Sequence, residues 1–277
     1  MPEAERIIAT VMGCGSSGGV PRIGGNWGDC DPRNPRNRRR RCSLLIEGYT
    51  GDSAPTRIVI DTGCDLREQL LDANVDRVDA VLYTHEHADH THGIDDLRVL
   101  ALNSRKRVDV YFTAEAAERI VPSFAYCFTA PPGSGYPPIL NQNLIEAGVQ
   151  LMVTGPGGTI SVMPFRQKHG DISSLGFRVG TFAYSCDLSG IPHESEDAVR
   201  GLDVWIVDAL RPTPHPSHLS LPESLDLIDR MKPQQAVLTN LHIDMDYATV
   251  DEGTPGHVMP AFDGMQIDIG TGQILNR

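Results

Sequence analysis

Residues 84 to 92, Thr84-His85-Glu86-His87-Ala88-Asp89-His90-Thr91-His92, carry the spacing His-x-His-x-Asp-His at the end of an apolar run from Asp79 to Tyr83. The run predicts a strand that empties into a turn. Alternation along the extended part sends His85 and His87 to one side, and the turn swings Asp89 and His90 round to a second position. Imidazole nitrogens and a carboxylate suit divalent cations, and two neighbouring ions can share such a loop. A solvated polar loop is the competing reading. Four ligand-type side chains within six residues, aimed by one buried strand, weigh against it.

A chain of 277 residues with 40% hydrophobic content can bury a sizeable core, and residues 1–277 are expected to form one domain. The formal charge of −12 and a pI of about 5.2 exclude broad electrostatic attraction to a polyanion, so no long nucleic acid is expected as a partner. Six cysteines without paired spacing fit reduced thiols in a cytoplasmic protein. Glu3 and Glu5 interrupt any secretory signal at the start, and no apolar stretch reaches membrane-spanning length, so no membrane partner is expected. A symmetric homodimer is the default oligomer.

Short β-rich runs alternate with helical patterns. Strands are predicted over Ile7–Met12, Ser43–Glu47, Arg57–Ile60, Asp79–Tyr83 and Val108–Phe112, and helices over Leu66–Ala73, Asp95–Leu102 and Ala114–Val121. Further strands are predicted over Gln150–Val153, Thr159–Met163, Leu175–Val179, Thr181–Tyr184, Val204–Val207 and Ala236–Leu238. A helix over Pro222–Met231 is introduced by Ser220, with Glu223 three residues on. This α/β (α+β) pattern suggests two sheets packed face to face and covered by helices. The Pro- and Gly-rich stretch Pro131 to Pro138 reads as a loop or lid.

Other candidate groups stand where strands end. Ile58-Val59-Ile60 runs into Asp61, placed either to hold a ligand imidazole in one tautomer or to cap a turn. His169, Asp187 and His242 each follow an apolar strand, where functional groups gather. Alone, each would more often be satisfied by backbone. In the order His, Asp, His downstream of the motif, they suggest a shared role.

That order and spacing resemble the metallo-β-lactamase superfamily, from about Ile7 to the C-terminal region. The resemblance implies an αββα sandwich with a dinuclear site along one edge. By the same resemblance His85, His87 and His169 bind a first metal, Asp89, His90 and His242 a second, and Asp187 bridges them, with Asp61 behind the ligands. Lactamases proper use a cysteine in the region of Asp187 and fit less well, although Cys186 stands beside it. A closer resemblance is to the phosphoribosyl cyclic phosphodiesterases of phosphonate breakdown. It is carried by Gly13-Cys14-Gly15-Ser16-Ser17-Gly18-Gly19-Val20-Pro21, Arg41-Cys42-Ser43, Ser174-Leu175-Gly176-Phe177 and Leu238-Thr239-Asn240-Leu241-His242, with Asp246 later. His218 sits where these enzymes carry an additional active-site histidine. They also hold a structural zinc with a cysteine cluster. Only Cys30 stands between Gly24 and Arg41 here, so no third zinc is expected.

These residue types support phosphoester hydrolysis of a small cyclic or nucleotide-like phosphodiester. Two cations about 3.5 to 4 Å apart activate a water and clamp a phosphoryl oxygen. Zn²⁺ suits the donor set best, and Mn²⁺ or Fe²⁺ is chemically reasonable. Asp89 and His218 are the catalytic candidates. His218 is placed to bind phosphate or to protonate the leaving alkoxide, or else merely to lead into the helix after Ser220. Ser16 and Ser17, in a loop that is otherwise a plain connection, are candidate phosphate contacts. The run Arg33, Arg36, Arg38, Arg39, Arg40, Arg41 reads as a solvated face or as a nucleotide contact, with Trp27 and Asp29 either lining a base pocket or covering the core. The alternatives are a transfer-RNA 3′-processing nuclease, a thioester or lactone hydrolase, a di-iron oxidoreductase (which usually places Glu where His87 stands) and a non-catalytic sensor.

Overall fold

The computed structural model describes residues 1–276. Its first sheet is built from β1 (Arg6–Gly13), β2 (Ser43–Tyr49), β3 (Thr56–Ile60), β4 (Ala80–Leu82), β5 (Val108–Phe112) and β6 (Leu140–Leu144). The second is built from β7 (Leu151–Gly155), β8 (Gly158–His169), β9 (Ile172–Val179), β10 (Phe182–Ser185), β11 (Val204–Asp208), β12 (Gln235–Thr239) and β13 (Val258–Pro260). The chain then returns to the first sheet with β14 (Gln266–Asp268) and β15 (Gln273–Ile274), giving orders β15-β14-β1-β2-β3-β4-β5-β6 and β13-β12-β11-β10-β9-β8-β7.

The two sheets repeat one plan. An antiparallel meander, β1 to β3 or β8 to β10, is followed by parallel strands, β4 to β6 or β11 to β13. Parallel strands need crossovers, and these supply helices for the outer faces. On the first sheet they are α1 (Leu66–Asp72), α2 (Ala88–Thr91), α3 (Leu97–Ser104), α4 (Ala114–Ser123) and α5 (Ala125–Phe128); on the second they are α6 (Leu221–Met231) and α7 (Tyr247–Gly253).

Three apolar layers result. Leu44, Ile46 and Ile60 of the first sheet meet Val162, Phe177 and Ile206 of the second in the central layer. Val59, Val81 and Val110 pack outward on Leu66, Leu97 and Ile120, while Trp205 and Leu238 pack outward on Leu227 and Ile228. A strand covered on both faces needs apolar residues at every position, which is why β11 reads Val-Trp-Ile-Val before its terminal Asp208. The architecture is thus the expected αββα sandwich.

Every predicted strand and helix is present, β5 with the predicted bounds and the others with one or both ends shifted. β8 runs six residues past its predicted end at Met163, through Pro164 to His169. Beyond Val162, β8 is no longer paired with β7, and a residue without an N–H is tolerated at such an edge. The segment expected as one helix from Asp95 begins as a 3-10 turn, Ile94–Asp96, before α3. The elements not predicted, β6, β13 to β15, α2, α5 and α7, are short. β6 reads Leu-Asn-Gln-Asn-Leu and has no apolar pattern. Among the described residues no helix is long and apolar enough to cross a membrane.

Candidate active site

In an open α/β sheet functional groups collect beyond the carboxyl ends of the parallel strands. Here both sheets send those ends to one edge. Asp61 follows β3, Thr84 and His85 follow β4, Cys186 and Asp187 follow β10, Asp208 closes β11, and Asn240 and His242 follow β12. Three of these, Asp61, Asp187 and Asn240, have φ of 62°, 54° and 62°. Left-handed backbone is costly for most side chains and least so for Asp and Asn, and it turns each side chain sharply off its strand into the site.

Asp61 determines the tautomers of two histidines. Its buried carboxylate accepts from the Thr84 N–H at 2.8 Å, the Thr84 hydroxyl at 2.7 Å and His90 Nδ1 at 2.8 Å. A carboxylate only accepts, so His90 carries its proton on Nδ1 and turns Nε2 toward the site. The Thr84 hydroxyl has given its one proton to Asp61. It therefore accepts from His85 Nδ1 at 2.9 Å, and His85 also presents Nε2. The Ser217 carbonyl does the same for His169, 2.7 Å from Nδ1.

The ligand-type atoms of His85, His87, His169 and Asp187 all lie within 4.8 Å of one another. Asp187 Oδ2 is 3.8 Å from His85 Nε2 and 3.7 Å from His169 Nε2, and Asp187 Oδ1 is 3.4 Å from His90 Nε2. His85 Nε2 is buried and has no hydrogen-bond partner. A buried lone pair left without a donor, facing two more imidazole nitrogens and a carboxylate, fits a divalent cation. Burial and the charge of His90 push the His85 pKa well below its usual range, keeping that lone pair available. Burial also opposes charge on His90, but Asp187 and Asp61 outweigh it and raise its pKa well above the ordinary value. Burial likewise opposes the Asp187 charge, yet His90 and His85 hold its pKa well down. This pocket favours positive charge around a fixed carboxylate.

Asp89 is placed beside His90, its Oδ2 3.4 Å from His90 Nε2. His242 lines the same cleft with Nδ1 2.9 Å from Asp244, but its Nε2 faces the guanidinium of Arg22. Among the described residues neither Asp89 nor His242 joins a group of three ligand atoms within 4.8 Å. The first expected ligand set is thus drawn together more tightly than the second.

His218 reaches the cleft from the other sheet. Its Nδ1 is 2.8 Å from Asp208 Oδ2, its Nε2 is 3.9 Å from Asp187 Oδ2, and its ring centroid is 4.7 Å from that of His169. Burial lowers its pKa, and the bond and charge of Asp208 more than restore it, for a net rise. Burial in turn lifts Asp208 to about 6. The helix after Ser220 needs nothing from His218, since Ser220 and Glu223 form their own capping box. The thiol of Cys186 is buried, which raises its pKa, and donates to Asp187 at 2.8 Å; with His90 and Asp187 it forms a further group of three ligand-type side chains.

Ser16 and Ser17 line this cleft of about 290 Å³, and Ser16 Oγ is buried without a partner. The glycines before them serve packing: a Cβ on Gly13 would lie 2.0 Å from the Arg41 carbonyl. The arginine run is mostly absorbed by the protein. Arg33 pairs with Asp31, Arg40 with Asp72 and Asp263, and Arg41 with Asp65; Arg36 lies over the Tyr247 and Phe262 rings, and Arg39 is buried. Trp27 covers a small cluster of Val20, Cys30 and Ile243, which is the core-cover reading. Asp208, Arg22, Arg211 and His215 were not singled out as site residues, and Asn240 was noted only within the motif before His242. Asp208 carried the same signal as Asp61 and Asp187, an acid closing an apolar strand.

The two-sheet sandwich and a histidine-carboxylate cluster at its edge define a metal-dependent hydrolase of the metallo-β-lactamase type. The comparisons agree: residues 56–243 match the β-lactamase superfamily domain. A crystal structure of a diphosphatase from the PhnP family is 31% identical, covers 95% of this chain and 97% of its own, and superposes with a TM-score of 0.83. The chain therefore belongs to the β-lactamase superfamily and, within it, to the PhnP family. Zn²⁺-bound PqqB from Methylobacterium extorquens shares the fold at 14% identity, with a TM-score of 0.73 over 94% of this chain and 99% of its own. An octanoyltransferase of Porphyromonas gingivalis is 30% identical over 259 residues, 92% of this chain; the chain spans about half the length of that relative.

Proposed function

We propose that the protein hydrolyses a small phosphodiester or related phosphoester, with His85, His87, Asp89, His90, His169, Asp187 and His242 holding two divalent cations. The observation that carries this reading is Asp187. Its carboxylate is shared by the imidazole group of His85, His87 and His169, by His90, and by the His218–Asp208 pair, so one side chain links cation binding to a proton donor. When bound, the cations lower the pKa of a water and withdraw charge from phosphoryl oxygens.

The residues do the rest. Asp61 and Thr84 keep the ligand lone pairs aimed inward. Asp208 holds the His218 ring so that Nε2 faces the cleft and carries a proton for the leaving oxygen. Asp89 orients the attacking water as an acceptor, and the Ser16 hydroxyl donates to a phosphate oxygen. The rest of the substrate extends past His87 into an adjoining cavity of about 630 Å³, where the His92 and Phe124 rings, 5.6 Å apart, suit a flat or sugar-like group.

An acyl thioester, suggested by the octanoyltransferase relative, would need an apolar channel. The cleft offers Leu210 among charged and polar side chains. An RNA substrate would need free basic surface, whereas the chain carries −12 and spends most of its arginine run internally. The diphosphatase relative agrees with chemistry at phosphorus. The test is turnover by the metal-loaded protein on a panel of phosphodiesters, diphosphates, thioesters and lactones. Hydrolysis confined to the phosphorus substrates is expected; preference for a thioester or lactone would overturn the reading.

A further inference from the structure

The helices over the outer face of the first sheet leave apolar side chains uncovered. α1 lies on the crossover from β3 to β4 and α3 on the crossover from β4 to β5, and both strand pairs are parallel, so the two helices run in the same direction. Leu66, Leu70, Leu97 and Leu100 face inward and fix the pair to the sheet. Asn103 Nδ2 donates to the Asp76 carbonyl at 3.2 Å, which ties the end of α3 to the loop after α1. A helix packed on a sheet normally turns polar residues outward. Here Leu71 of α1 is 56% exposed, and Val99 and Leu102, three residues apart on one face of α3, are 59% and 65% exposed.

The charges around these three side chains are divided between the helices. On the α1 side stand Glu68, Asp72 and Asp76 with one cation, Arg67; on the α3 side stand Arg98, Arg105, Lys106 and Arg107 with one acid, Asp95. Asp72 and Asp76 touch Arg40 and Arg57 but remain largely exposed. The turn Arg105-Lys106-Arg107 is exposed throughout, and among the described residues Arg105 and Arg107 form no ion pair, although the chain carries −12. An apolar centre with opposite charge on its two sides is complementary to itself. A two-fold axis parallel to the helices and between them lays α1 of one copy on α3 of the other. Leu71 then meets Val99 and Leu102 of the partner subunit, and the acids meet the partner's basic turn, both contacts occurring twice. We propose that this face is a homodimer interface, its occupant a second copy of this chain. An anionic membrane surface fits less well, because it would attract the basic turn and repel the acids of α1. The inference stands apart from the phosphoester reading, since none of these residues reaches the cleft.

The test is sedimentation velocity on the full metal-loaded chain over a range of concentrations, beside three variants: Leu102→Glu, an acid-reversed protein (Glu68→Lys with Asp72→Lys) and a base-reversed protein (Arg105→Glu with Arg107→Glu). The wild type should sediment as a dimer at micromolar concentration. Leu102→Glu sets an unpaired charge into both halves of the interface and should raise the dimer Kd by about 100-fold or more. Each charge-reversed protein alone places like charges opposite one another and should dissociate, whereas an equimolar mixture of the two restores both contacts and should form heterodimers. The substituted side chains are exposed, and thermal unfolding checks that each variant is folded. Leu102→Glu breaks no ion pair and decides the matter if a charge-reversed protein misfolds. A monomeric wild type, a dimer that Leu102→Glu leaves intact, or a mixture no more associated than its two components would overturn the interface. So would a wild type that binds phosphatidylserine vesicles without associating with itself.

Discussion

Asp61→Asn is nearly isosteric, yet the hydrogen-bond arithmetic predicts a large loss of cation affinity. In the wild type the Oδ2 atom accepts from both the Thr84 hydroxyl and His90 Nδ1, while Oδ1 accepts from the Thr84 N–H. If the introduced amide keeps its oxygen on the Thr84 N–H, its NH₂ faces His90 and Thr84. His90 must then move its proton to Nε2, closing the lone pair that faces Asp187. The Thr84 hydroxyl becomes an acceptor of the amide and turns its own proton to His85 Nδ1, which moves the His85 proton to Nε2 as well. The flipped amide instead sets a donor against the buried Thr84 N–H, costing about 1 to 3 kcal/mol for an unsatisfied group. Losing an outer partner of one ligand imidazole lowers metal affinity by about 10- to 100-fold, so two affected histidines imply about 10²- to 10⁴-fold. Competition with a chromogenic chelator measures this directly, with thermal unfolding of the metal-stripped protein as a control for folding. Wild-type affinity in a folded Asp61→Asn protein would refute the tautomer argument. Thr84→Val, which breaks only the relay to His85, should show a smaller loss of about tenfold.

Replacing His218 with Ala should leave metal content unchanged and lower kcat by about 10²- to 10⁴-fold on substrates with poor alkoxide leaving groups, and by less on aryl esters whose leaving group needs little protonation. Equal losses on both types would make His218 a phosphate binder. Burial raises the Asp246 pKa, but bonds from the Thr249 and Asp31 N–H groups and the Asn37 amide bring it down to about 2, below the ordinary 3.8. A depressed carboxylate stabilises the fold above its unfolded pKa and loses that contribution as pH falls toward its folded one. Stability of the metal-stripped protein should therefore drop by about 1 to 2 kcal/mol between about pH 4 and pH 2, after allowing for the exposure of Asp246. Urea unfolding across that range should show a flatter profile for Asp246→Asn; an identical slope would contradict the assignment.

The parts of this protein that were legible from sequence share a physical property. Strands such as β4 and β11 are covered on both faces, so they appear as apolar runs, and the first polar residue after each marks the site edge. His85, Asp61 and Asp187 were readable for that reason. Groups defined by distant partners were not. Arg40 meets Asp263, 223 residues away, and Arg36 meets Tyr247, 211 away, so a run that looked like an exposed basic face is mostly an internal tie between chain ends. Arg22 and Arg211 are brought to one cleft only by the packing of the two sheets, with His242 as their common neighbour. Asp208 was missed narrowly, because β11 extends one residue past its predicted end.

The central claim is that His85, His87, His169, Asp187 and their neighbours hold two cations that together hydrolyse a phosphoester. The most direct measurement is a Zn²⁺ titration of metal-stripped protein, recording bound metal by elemental analysis and phosphodiester turnover on the same samples, with Asp187→Ala beside the wild type. Turnover should rise as the second equivalent binds, and Asp187→Ala should retain at most one ion and lose nearly all activity. Full turnover at one ion or none, or two tightly bound ions and normal activity in Asp187→Ala, would contradict the account.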